Sequence, residues 1–325
     1  MSDKEKISLI SKTFNALKSE LAKAVIGQDE VVEQLLISLF AKGHAIIVGV
    51  PGLAKTLLVA TLARILDLKF SRIQFTPDLM PSDITGTDII EEDLKSGRKN
   101  FRFIKGPVFA NIILADEINR TPPKTQSALL EAMQEYKVTA GGNDYFLEQP
   151  FFVLGTQNPI EQEGTYPLPE AQLDRFFFQI NIFYPGEEEE KKIALTTTAF
   201  PDYDLKTILT KKEILGIQDF VRKIPIPDNS LEYAVKLVKM TRLPDGDPDV
   251  IKWISWGAGP RASQALVLAA KIKAALDGRF SVSKEDIRDI AFPALRHRLV
   301  INFSAEAEGI TADDIIRKML EKKLK

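Results

Sequence analysis

The run Gly49-Val50-Pro51-Gly52-Leu53-Ala54-Lys55-Thr56 carries the residue types that hold a phosphate chain. Glycines let the backbone curl until successive N–H groups face inward around an anion. A helix opening at Lys55 would add its positive N-terminal end. Lys55 would bring a mobile charge to the β- and γ-phosphates, and the Thr56 hydroxyl a ligand for Mg²⁺. The run departs from G-x-x-x-x-G-K-[ST] at one position, where Ala54 stands for the second glycine. Alanine fits there if its backbone is already helical, because only a positive φ demands glycine. A coincidental glycine turn is the alternative reading.

A second group is Asn111-Ile112-Ile113-Leu114-Ala115-Asp116-Glu117, an apolar run ending in two carboxylates. Asp116 is suited to holding Mg²⁺ through its water shell, and Glu117 to polarising an attacking water. Helix capping or plain solvent exposure would also account for them. Asn158, after Gly155-Thr156-Gln157, is placed to orient that water or touch the γ-phosphate; a turn-forming Asn before Pro159 is the competing reading. Arg261 follows Gly259-Pro260 at a helix start, where the dipole disfavours a cation, so an anion is expected beside it: a phosphate, or a nearby Asp or Glu. Arg175, in Leu173-Asp174-Arg175-Phe176, could stabilise transition-state charge on a nucleotide in a neighbouring subunit or pair with a local acid such as Asp174. Spacing does not decide between these.

The elements that must position these groups alternate. Strands are predicted at Ala45–Val50, Ser71–Phe75, Asn111–Ala115, Phe151–Thr156 and Gln179–Phe183, with helices including Lys55–Leu66 and Thr125–Glu135 between them. Continuous apolar runs alternating with helices predict an α/β fold with a parallel sheet flanked by helices, and ligands bind at the carboxyl edge of such a sheet. Two amphipathic helices, Ile7–Leu21 and Gln28–Phe40, come first; Gly27 breaks the pattern between them, and Gln28 and Asp29 would cap and charge the second. Ile89–Ile104, with a polar centre at Asp93–Gly97, and Lys137–Leu147, with Gly141–Asp144, read as two β-hairpin insertions. Composition shifts at Tyr184-Pro185-Gly186, which divides the chain into an α/β nucleotide-binding core, 1–184, and an all-α remainder, 185–325. The acidic run Glu187–Glu190 suits the first turn of a helix. Helical patterns follow at Lys211–Lys223, Ser230–Met240, Arg261–Leu276, Lys284–His297 and Thr311–Lys325.

The chain of 325 residues has 45% hydrophobic and 27% charged residues and a net charge of −2, so no overall positive field draws it to nucleic acid. It has no cysteine, which excludes disulfides, thiolate chemistry and zinc ribbons. Its two histidines, His44 and His297, are far apart and read as structural or surface residues. No apolar run is long enough to span a bilayer and no secretion signal is evident, so a cytoplasmic location is expected.

Taken together, Gly49–Thr56, Asp116–Glu135, Gly155–Pro159 and Glu163–Phe176 resemble the MoxR family of AAA+ ATPases, closely from Ala24 to Phe183 and more loosely beyond. Ala54 looks like that family's usual form. The resemblance implies a P-loop AAA+ core with two hairpin insertions and a helical lid domain, binding ATP and Mg²⁺. It implies Walker A roles for Lys55 and Thr56, Walker B roles for Asp116 and Glu117, sensor roles for Asn158 and Arg261, and an arginine finger at Arg175. Val25-Ile26-Gly27-Gln28 would lie beside the adenine. It further implies a hexameric ring and chaperone-like work on a protein client, including metal insertion or complex maturation, often with von Willebrand factor A domain proteins. Two other functions compete: a nucleic-acid motor or magnesium-chelatase-like subunit, and a nucleotide-gated scaffold without hydrolysis. The hairpin at 137–147 offers only Lys137 against Asp144 and Glu148, and the intact acid pair speaks against a scaffold.

Overall fold

The computed structural model describes residues 2–92, 99–161, 164–198 and 203–322. The turn expected at Asp93–Gly97, Glu163 of the family-like segment and Lys323–Lys325 of the expected last helix lie outside them. Five strands form one sheet: β1 (Ala45–Val48), β2 (Phe70–Gln74), β5 (Ile112–Asp116), β8 (Phe152–Gln157) and β9 (Phe178–Asn181). Their order is β2-β5-β8-β1-β9, and every pairing is parallel. Ile112, Ile113 and Leu114 are fully buried, as a run covered on both faces requires.

Alternation along the strands splits the core in two. Ile47, Leu114 and Leu154 pack with α1 (Asp3–Leu21), α2 (Asp29–Phe40) and α3 (Lys55–Ile65). Ile46, Ile113 and Val153 face the other way, onto α5 (Pro123–Glu135) and the short α4 (Pro81–Thr85). Both hairpins are present: β3 (Gly86–Glu92) pairs antiparallel with β4 (Lys99–Lys105), and β6 (Lys137–Ala140) with β7 (Asn143–Phe146). Phe103 stacks on Tyr145, ring centroids 4.2 Å apart, and so joins one hairpin to the other.

The chain then becomes helical, after α6 (Glu170–Leu173): α7 (Glu187–Thr198), α8 (Lys211–Val221), α9 (Asp228–Lys239), α10 (Pro248–Ile251), α11 (Pro260–Leu276), α12 (Lys284–Asp289), α13 (Ala291–Leu295), α14 (Phe303–Ala307) and α15 (Ala312–Glu321). The apolar cluster under α1–α3 continues into α9, α11 and α15 through Leu237, Ala269 and Ile316. Two expectations need correction. The helical pattern at Lys284–His297 is broken at Ile290 and ends in a 3₁₀ turn, Arg296–Arg298. Pro293 lacks an N–H and sits in the first turn of α13, where none is needed. The remainder is also not purely helical, because β10 (Ile254–Trp256) and β11 (Val300–Ile301) form a small antiparallel ribbon.

Candidate functional site

The run Gly49–Thr56 leaves the carboxyl end of β1, and α3 begins at Lys55. The Gly49 N–H donates to the Gln157 carbonyl at 3.2 Å, and a Cβ on Gly49 would collide with Ile182, so close approach demands glycine there. Gly52 has open space around it but a φ of +84°, a requirement of conformation rather than room. Ala54 corrects the sequence reading. Its φ is +52°, in the left-handed region, and not helical. The chain reverses into α3 through that residue, and the Ala54 carbonyl accepts the helical bond from Leu58 N–H at 2.9 Å. Lys55 Nζ donates to the Gly49 carbonyl at 2.6 Å. Burial lowers the Lys55 pKa, while the charges of Asp116 and Glu117 oppose that shift. Strands β1, β8 and β5 are parallel neighbours, so loop and acids leave the sheet at a single edge.

Asp116 ends β5, flanked by β2 and β8. Its Oδ1 accepts from the Thr156 hydroxyl at 2.6 Å, and its Oδ2 is paired with Arg72 at 2.6 Å. Glu117 leaves the strand with a φ of +56°, and its N–H donates to Thr156 Oγ1 at 2.9 Å. Its Oε2 accepts from Gln74 Nε2 and from Arg120, each at 2.9 Å. Thr156 thus binds both acids. Sequence reasoning missed Arg72, Gln74, Arg120 and Thr156. The Arg-x-Gln spacing on β2 was the available signal, since alternate strand residues share a face. Asn158 follows β8, the strand between those of the acids and the loop; it is buried, and its Oδ1 accepts from Ile160 N–H at 3.1 Å, so it also makes the turn.

The donor set fits a hard cation bound with phosphates. Among the described residues no cluster of three or more His, Cys, Asp or Glu could hold a metal alone. Thr56 and Asp116 offer two oxygens, and Mg²⁺ ordinarily takes the rest of its shell from water and phosphate. The segment Val25–Gln28 lies at the same edge. A Cβ on Gly27, whose φ is +74°, would stand 2.6 Å from the Glu189 carboxylate at the start of α7. Gln28 takes the N-cap position of α2 but its side chain makes no cap bond; Asp29 and Glu30 charge the first turn.

The two predicted arginines come together elsewhere. Lys42–His44 precede β1 and Asp174–Phe177 precede β9, and between them a cleft of about 1080 Å³ opens at the amino edge of the sheet. Arg175 and Arg261 both line it. Arg261 pairs with Asp174 at 3.5 Å, and buried Arg298 holds the same carboxylate at 2.8 Å. Arg175 donates to the Leu130 carbonyl at 3.4 Å. Within one chain, then, Arg261 meets Asp174 and not the loop 49–56. Both histidines are structural and stand at this edge. His44 Nδ1 accepts from Val153 N–H, which leaves Nε2–H to donate to the Met133 carbonyl, and burial pushes its pKa down to about 4. His297 Nε2 meets the Phe176 carbonyl; burial first, then the charge of Arg298, hold its pKa well below the usual imidazole value.

Comparison with known proteins gives the family. Residues 44–178 match the model of the ATPase family associated with various cellular activities (AAA), and residues 252–319 that of the AAA lid domain. The chain is 45% identical over 304 residues to Chaperone MoxR1 of Mycobacterium tuberculosis, covering 93% of this chain and 79% of that one. It is 31% identical to Protein MoxR of Methylorubrum extorquens, covering 93% and 92%. A crystal structure of a candidate ATPase from Cytophaga hutchinsonii superposes with a TM-score of 0.90 at 44% identity, covering 98% of this chain and 97% of that one.

Proposed function

The chain belongs to the MoxR family of AAA ATPases, and from that premise we propose that it binds ATP with Mg²⁺ at the carboxyl edge and hydrolyses it to remodel or mature partner proteins. One observation carries the reading: β1, which ends in the loop 49–56, and β5, which ends in Asp116 and Glu117, run parallel with β8 between them, so loop and acids leave the sheet at the same edge. The loop N–H groups and Lys55 hold the β- and γ-phosphates. Val25–Gln28 lies beside the adenine. Thr56 and Asp116 would hold Mg²⁺, which when bound neutralises charge on the phosphate oxygens. Glu117, steadied by Gln74 and Arg120, receives the proton of the attacking water, and Asn158 orients that water.

Arg175 and Arg261 serve the nucleotide of the next copy in a head-to-tail ring, expected to be hexameric. A heterologous contact that closes gives such a ring. The core is taken as residues 1–184 and the lid as 185–325, and the location as cytoplasmic; among the described residues no helix is long and apolar enough to cross a membrane. For the client we propose a protein bearing a von Willebrand factor A domain, with metal insertion as one form of the maturation. A nucleic-acid motor is not favoured, because Lys137 on the second hairpin is paired with Asp144 at 2.7 Å.

Glu117→Gln tests the reading. It should keep ATP affinity within a few-fold while turnover falls by about 10²–10⁴. Hydrolysis at the parent rate removes Glu117 as the base, and loss of ATP affinity would place it in binding instead.

A further inference from the structure

The amino-edge cleft is strongly cationic. Lys42, Arg175, Arg222, Arg261, Lys271 and Arg298 line it against two carboxylates, Glu135 and Asp174. Asp174 serves Arg261 and Arg298, and Asp219 serves Lys42. Arg175, Arg222 and Lys271 have only carbonyl partners among the described residues: Leu130, Ala41 and Arg222 respectively. Burial first, and then the charge of Arg222, lower the Lys271 pKa. Arg261 and Lys271 stand about 15 Å apart along α11, so an anion held by Arg175 and Arg261 leaves the Arg222–Lys271 end of the cleft open to another anionic body.

The opposite edge carries such a body. Helix α7 opens with Glu187–Glu190, and none of its residues is buried. Lys191 bridges Glu187 and Glu188, yet those side chains stay 83% and 86% exposed. Phe183, Tyr184 and Leu195 are each at least 73% exposed on and beside it. A helix of this length is marginal without tertiary packing, and among the described residues no surface buries any of its side chains. Glu189 meets Gly27 and accepts from Gly186 N–H, which brings the start of α7 against the start of α2 with its exposed Asp29 and Glu30.

We infer that these are two halves of one contact between copies of this chain: the acidic rim of Asp29, Glu30, Glu187, Glu188 and Glu190 seats in the Arg222–Lys271 end of the next copy's cleft. The inference rests on the head-to-tail reading above and adds the element that docks. Complementary charge across such a contact sets register and speeds encounter. The face and the cleft lie on opposite edges of one sheet, so the contact is heterologous and repeats from copy to copy.

The test uses the full chain with ATP and Mg²⁺, assembly being followed by sedimentation velocity. Glu187→Lys/Glu188→Lys/Glu190→Lys and Arg222→Glu/Lys271→Glu should each raise the dissociation constant of assembly by at least about tenfold near 0.1 M salt. Joined in one chain, the two reversals should restore assembly to within about threefold of the parent, an outcome that misfolding cannot produce. A parent that assembles while either reversed set assembles equally well overturns the docking alone, as does a combined chain no better than its parts. A parent that stays a single copy at every concentration overturns the docking and the ring together. Binding of a fluorescent ATP analogue to single copies reports the nucleotide site separately.

Discussion

At the carboxyl edge of the sheet the chemistry comes from one eight-residue loop and the ends of adjacent parallel strands. At the amino edge it comes from segments around residues 42, 175, 222, 261 and 298, gathered by the packing of the lid helices. The first edge is built to hold a ligand: glycine at a close approach, a lysine turned onto the loop, two acids fixed by one threonine. The second is built to offer charge, with six cations around two carboxylates. A site built from consecutive residues and neighbouring strand ends can be read from local sequence, whereas one gathered from distant segments shows itself only in the folded chain.

The sharpest way to break this contrast is to separate the two edges between subunits. Arg175→Ala should lower turnover by about 10³ while leaving ATP affinity nearly unchanged, as expected for an arginine that acts only on transition-state charge. Lys55→Ala should be inactive by losing phosphate binding. Mixed, the two inactive proteins should recover activity, because a Lys55→Ala copy still presents Arg175 to an intact loop next to it. Mixtures that stay inactive at every ratio would return Arg175 to its own chain's structure.

The two edges should also differ in their response to acid. His44 is buried and neutral at the amino edge, with a folded pKa near 4 against an ordinary 6.5. Below pH 6.5 the unfolded chain binds a proton that the folded chain refuses, so stability is full above 6.5 and falls as the pH drops toward 4. The loss reaches about 3 kcal/mol at most for His44 alone. His297, between Arg296 and Arg298, acts in the same direction. Hydrogen exchange at pH 5 should therefore rise first around Met133, Val153 and Phe176, whose backbones bond the two imidazoles. Equal protection at pH 5 and 7 would show that neither ring is held neutral.

What the sequence disclosed follows the same division. Ile112–Leu114 betrayed a strand buried on both faces, and the acids after it had one place to go. Ser2 and Glu5 form a capping box, so α1 begins at Asp3; that Ser-x-x-Glu signal was legible, and an expected start at Ile7 overlooked it. The break at Ile290 was hidden because apolar periodicity records which side is buried and not whether the helix is continuous. Arg261 was recognised as a cation lacking an anion, but its partner, Asp174, stands 87 positions earlier in the chain and only the fold brings them together.

The smallest effect concerns the most local feature. Ala54 holds a φ of +52°, a region that costs an L-residue roughly 1–2 kcal/mol. Glycine would remove that cost but lose about 0.5–1 kcal/mol through the greater freedom of its unfolded chain. Ala54→Gly should thus change stability by about 0–1.5 kcal/mol, toward stabilisation, and equilibrium denaturation can resolve that. Destabilisation by about 0.5–1 kcal/mol or more would mean that Ala54 is not left-handed in the folded protein. The alanine then has a physical meaning that its mismatch with the glycine pattern obscures: it narrows the unfolded ensemble at the turn into α3. Strain of this kind persists only where the surroundings over-determine the backbone, and here Gly49 against Ile182 on one side and the first turn of α3 on the other supply that constraint.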